Sequence, residues 1–109
     1  MNERKNHLIT ARISTDDLEL LADLCELINK NKSDTITRAI KFWRNVVDIS
    51  AVSLDDPEIW GKMPKNIRVH LRTSDSDMKM FNECMEKTGL SISQIVRKAI
   101  KAYHGSVKG

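Results

Sequence analysis

The chain has 109 residues, 40% of them apolar and 30% charged, which excludes a wholly disordered polymer and suits one small domain with one modest core. Eighteen Lys and Arg against fifteen Asp and Glu leave +3, with an isoelectric point near 9.0; so mild an excess permits an acidic partner without requiring one. No apolar run approaches the roughly eighteen residues of a membrane helix, and the opening Met1-Asn-Glu-Arg-Lys leads into no secretory apolar segment, so no membrane association and a cytoplasmic location are expected.

In chain order, His7-Leu8-Ile9-Thr10-Ala11-Arg12-Ile13 alternates apolar and polar residues, the mark of a half-buried strand, with Leu8 breaking the pattern on the outward side. Ser14-x-x-Asp17 places a hydroxyl three residues ahead of an acid, a capping box that starts a helix with the inner stripe Leu18, Leu21, Cys25 and Ile28. Asn29 tolerates the left-handed conformation that ends a helix, and Asn31 with Asp34 starts the next, whose apolar face is Ile36, Ile40, Trp43 and Val47. Residues 46–64 read as a linker. Within it Asp55-Asp56-Pro57-Glu58 predicts a short helix through Trp60, ended by Gly61 and Pro64, with Trp60 as a lid over the core. Ile67-Arg68-Val69-His70-Leu71-Arg72-Thr73 then alternates at every step, and Ser74-x-x-Asp77 opens a helix with the stripe Met78, Phe81 and Met85. Gly89 ends it, and Ser91 with Gln94 starts a last helix carrying Val96, Ile100 and Tyr103.

The same order has occurred twice because the sequence repeats. Shifted by sixty positions, residues 5–44 lie on residues 65–104 without a gap, and ten of the forty pairs are identical, among them Arg12/Arg72, Ser14/Ser74, Asp17/Asp77 and Ser33/Ser93. The units are 1–45 and 65–109. One such strand cannot satisfy its edges, nor can two short helices enclose a core, so the units must pair. The expected fold class is mainly α with a small β-ribbon, in which two strand–helix–helix units form one pseudo-dimeric domain, a two-stranded antiparallel ribbon on four helices. The nineteen residues of the 46–64 linker reach about 60 Å extended, enough for pairing within a single chain and hence for a monomer, the arrangement favoured over two chains swapping halves.

Cys25 and Cys84 stand far apart with no CxxC and no nearby paired His, which argues against zinc and against a disulfide framework; both are expected to be free thiols packed among apolar residues. The Asp pair of the linker reads as helix capping, so no metal is expected. Nor is a cofactor, since there is no Gly-rich phosphate loop. With no nucleophile–base pair at recognisable spacing either, the chain is not expected to be an enzyme.

A strand and two helices in about forty residues, twice in register and with Gly89-Leu90-Ser91-Ile92-Ser93 at the second inter-helix turn, resembles the ribbon-helix-helix superfamily of Arc/MetJ-like DNA-binding proteins, in a tandem form similar to TraY-like conjugation proteins. The chain departs from the family in lacking a Pro after the strand Arg of either unit, Ser14 and Ser74 following one residue later, and Asn29-Lys30-Asn31-Lys32-Ser33 only echoes the turn. The resemblance implies double-stranded DNA as partner, with the ribbon in the major groove. The alternation turns Leu8, Thr10 and Arg12 of one unit and Arg68, His70 and Arg72 of the other outward, and the family reads bases from these positions. The same resemblance has Asn31, Lys32, Ser33, Ser91, Ile92 and Ser93, at the positive ends of the second helices, holding phosphates, aided by Arg4, Lys5 and Lys65. Lys41 and Lys101, on later turns, are expected to be solvated. The two half-ribbons differ, so the expected site is an imperfect palindrome or a direct repeat. Copies standing side by side on DNA fit the family too. The implied roles are a transcriptional repressor or regulator of plasmid or phage type, or an accessory protein at a conjugative transfer origin. A third is the antitoxin of a toxin–antitoxin pair, though only Gly105–Gly109 follow the second unit where antitoxins carry a toxin-binding tail.

Overall fold

Each predicted strand feeds directly into a capped helix. A computed structural model describes residues 7–46 and 66–108, with β1 (His7–Ser14), α1 (Thr15–Ile28), α2 (Lys32–Val46), β2 (Asn66–Thr73), α3 (Asp75–Thr88) and α4 (Ile92–Lys108) in that order. The described part is mainly helical, with one antiparallel pair, β1 on β2. The pairing runs from His7 opposite Thr73 to Ser14 opposite Asn66, and Thr10 faces His70, its own counterpart sixty positions on. A pseudo-twofold axis therefore passes through that pair.

Local chemistry sets the helix ends. Ser14 Oγ accepts from the Asp17 amide at 3.1 Å and the Ser14 amide donates to Asp17 Oδ2 at 3.1 Å, a complete capping box. Ser74 Oγ likewise accepts from the Asp77 amide, at 3.3 Å, while the Asp77 carboxylate meets Lys41 Nζ at 3.3 Å. Asn29 (φ 56°) and Gly89 (φ 74°) take the left-handed conformation that ends α1 and α3. Asn31 Oδ1 accepts from the Asp34 amide at 2.8 Å to start α2; Ser91 and Gln94 exchange hydrogen bonds at 2.8 and 3.2 Å to start α4.

The ribbon's inner face (Ala11, Ile13, Val69, Leu71) closes over Leu21, Ile36, Ile40, Trp43, Phe81, Ile95, Val96 and Ile100 in one core. α2 packs most extensively on α4, and each crosses to the other unit's strand, α2 to β2 and α4 to β1. The buried stripes of the first helices differ from the expected ones. α1 buries Asp17, Leu21 and Leu24, whereas Leu18, Cys25 and Ile28 are half-buried; α3 buries Met80, Phe81 and Cys84, with Met78 and Met85 half-buried. The most deeply covered residues are thus offset from the expected stripes, with Leu21 and Phe81 common to both. Tyr103 is also only half-buried, its ring 5.3 Å from that of Phe42. α2 runs through Val46, one residue past the expected unit boundary, and α4 runs on past Gly105 to Lys108. The expected short helix after Asp55, the Trp60 lid and Val47 lie outside the described residues, as do Arg4, Lys5 and Lys65. Among the described residues no helix is long and apolar enough to cross a membrane.

Candidate nucleic-acid interface

The outer face of the ribbon follows from strand parity. Leu8, Thr10, Arg12, Arg68, His70 and Arg72 are all exposed, while their inward neighbours are buried or half-buried. The register sets them opposite one another in three pairs, Leu8 with Arg72, Thr10 with His70 and Arg12 with Arg68. The amides of Arg12 and Arg72 point away from the partner strand, so these are the non-hydrogen-bonded pairs of the ladder, whose facing Cα atoms stand about 4.5 Å apart.

Each pair has its own chemistry. Arg12 and Arg68 are directly opposed in the register, a like-charge pairing that opposes folding on its own and favours an electron-rich or anionic guest. Thr10 Oγ1 and His70 Nδ1 share a hydrogen bond at 3.0 Å across the axis. In the neutral ring, Nε2 is a donor when the Thr hydroxyl supplies the proton and an acceptor when Nδ1–H does. Leu8, 64% exposed, lies opposite Arg72 and leaves that end with a methyl-bearing surface beside a cation. No carboxylate is among the six.

The starts of α2 and α4 flank this face at opposite edges. Ser93 Oγ accepts from the Arg12 amide at 2.8 Å, and Ser33 Oγ accepts from the Arg72 amide at 3.2 Å. These two bonds are related by the sixty-residue shift, and each ties one unit's helix to the other unit's strand. They cap strand-edge amides that would otherwise invite another chain. They also bring the positive helix ends and their neighbours Asn31, Lys32, Ser91 and Ile92 beside the ribbon. Asn31, Lys32 and Ser91 are exposed, and Ser33, Ile92 and Ser93 half-buried.

No family model, curated protein or solved structure matches the chain.

Several groups that hold the platform in place had no signal in the sequence, because their partners are distant along the chain. Arg97 Nε donates to Asp17 Oδ2 at 2.7 Å, with the Asp17 side chain 1% exposed. Burial pushes the Asp17 carboxyl up, but hydrogen bonds from Arg97 and Ser14 outweigh it and hold the group below the usual aspartate value. His7 pairs with Asp75 between β1 and α3. Asp23 accepts from His104 at 2.7 Å and Lys108 at 3.2 Å, and those contacts lower its pKa. Glu83 accepts from Lys87 at 2.8 Å and Arg44 at 3.1 Å, and its pKa is lowered too, chiefly by Lys87. Asp23 with His104 and Glu83 with Arg44 are counterparts under the repeat. Lys41 is solvent-exposed as expected and also pairs with Asp77: the start of α3 packs beside α2 and brings that carboxylate within reach.

Proposed function

We propose that this protein binds double-stranded DNA sequence-specifically by laying its two-stranded ribbon in the major groove, as a tandem ribbon-helix-helix protein acting as a transcriptional regulator. The observation that carries the proposal is the outer face of the ribbon, six exposed side chains in three facing pairs about a pseudo-twofold axis, with three arginines and no acid. The major groove, about 12 Å wide, admits a two-stranded ribbon and displays a distinct donor and acceptor pattern for each base pair. Arg12, Arg68 and Arg72 suit guanine O6 and N7, Leu8 suits a thymine methyl, and the Thr10–His70 pair reads the step on the axis. The helix starts beside Arg12 and Arg72 suit the phosphates on either side.

Selection from a pool of randomised duplexes tests this directly. The expected product is an asymmetric, near-palindromic sequence; equal affinity for selected and random duplexes overturns the proposal. Arg72→Ala should relax the preference at one position at a cost of about 1–3 kcal/mol. Lys32→Ala should instead weaken binding to every sequence and reduce the salt slope by about one. A change of base preference on replacing Lys32 would contradict its assignment to phosphate.

A further inference from the structure

The pseudo-twofold axis maps Asp17 onto Asp77 and Arg97 onto Thr37. At the first of these sites the Arg97 guanidinium lies against the carboxylate at 2.7 Å, and the two side chains are 12% and 1% exposed. At the second a threonine takes the place of the arginine. There the surface opens into a cleft of about 420 Å³ lined by Asp34, Thr37, Arg38, Lys41 and Asp77. We infer that this cleft between α2 and the start of α3 is a binding site for a guanidinium group, supplied by a ligand rather than by the chain.

The protein itself shows what suits the position, since its own arginine occupies the counterpart. There Arg97 reaches Asp17 through Nε alone and leaves Oδ1 without a hydrogen-bond partner among the described residues; at the open site Asp77 can meet a free guanidinium through two parallel N–H donors, a geometry that an ammonium group cannot match. Asp77 retains an acceptor role here: its side chain is 19% exposed and its cation partner, Lys41, is 53% exposed on a long flexible stem. An incoming guanidinium can therefore displace a surface lysine without breaking a buried pair. Arg38 and Lys41 at the rim give the site a second preference. Two cations beside the entrance favour a guanidinium compound that also carries a carboxylate, as free arginine does, over an arginine side chain within a peptide. The inference does not depend on DNA binding.

The test is a titration of the full chain with methylguanidinium chloride, followed through backbone amide resonances against sodium chloride at matched ionic strength. The expected result is saturable shifts at Thr37, Lys41 and Asp77 in the millimolar range, weakened roughly tenfold or more in Thr37→Arg, whose new side chain fills the cleft as Arg97 fills its counterpart. Asp77→Asn should weaken them similarly. Free L-arginine and doubly blocked arginine then separate the sources: tighter binding of the free amino acid identifies a small molecule, tighter binding of the blocked form a peptide side chain. The inference is overturned if the shifts do not saturate, or if Thr37→Arg titrates like the unaltered protein.

Discussion

Asp17 does several things at once. Its Oδ2 accepts from the Ser14 amide and from Arg97, while Oδ1 is buried with no hydrogen-bond partner among the described residues. The capping role was legible from the Ser-x-x-Asp spacing, which is local. The pairing with Arg97, eighty residues away, was not, because it exists only once the two units have packed. Asp17→Asn removes the charge that Arg97 faces and should cost about 3 kcal/mol in urea unfolding, where a loss under about 1 would show the pair to be a passive contact. The pH dependence has a definite sign. A carboxyl with a lowered folded-state pKa stabilises the fold above the unfolded value, near 3.9 for Asp, and loses that contribution as pH falls through the folded value. Asp17, Asp23 and Glu83 all shift this way, so stability should drop steeply on acidification below about pH 4, and less steeply in Asp17→Asn. The thiols make a second case at this scale. Cys25 is half-buried; Cys84 is buried, and burial pushes its thiol pKa up. A disulfide reagent should therefore modify Cys25 in the folded protein and Cys84 only on unfolding, the two being separable by peptide mass. Equal rates would contradict the packing of α3.

At the scale of elements, the ends of strands and helices were readable and their faces less so. A cap is a contact between residues three apart, so Ser14, Asn31, Ser74 and Ser91 marked the starts, and Asn29 and Gly89 the stops. The buried face of α1 was ambiguous because Leu18, Leu20, Leu21, Leu24 and Leu27 leave it apolar over much of its circumference. The partner unit decides which of these are covered, leaving Leu27 47% exposed. α4 also passes straight through Gly105 to Lys108. Glycine in a helix interior costs up to about 1 kcal/mol relative to alanine, and a Cβ at Gly105 would meet nothing within 4 Å. Gly105→Ala should accordingly raise stability by about 0.5–1 kcal/mol in thermal or urea unfolding, with DNA affinity unchanged. Destabilisation would mean that the helix end is shaped differently.

For the molecule as a whole, the sixty-residue repeat was the most informative feature of the sequence, since it implied two like units that must share one core. The register adds the axis, and the reciprocal bonds of Ser33 to the Arg72 amide and Ser93 to the Arg12 amide show how each unit grips the other's strand. Because both strands of the ribbon belong to one chain, the melting temperature should not vary over about a hundredfold range of protein concentration. A rise with concentration would show that units pair between chains. The six outward residues were placed correctly by parity alone. The hydrogen bond between Thr10 and His70 needed the register, because no sequence pattern says which residue of one strand will face which residue of the other.

That pair on the axis has a consequence for how the protein can change. Where two identical chains meet, an axial residue faces a copy of itself, and any substitution alters both halves together. Here a threonine faces a histidine, and one codon edits one half alone. On the proposed function, the two halves of the target are free to drift apart one base at a time, and the bound protein has a definite direction along the duplex.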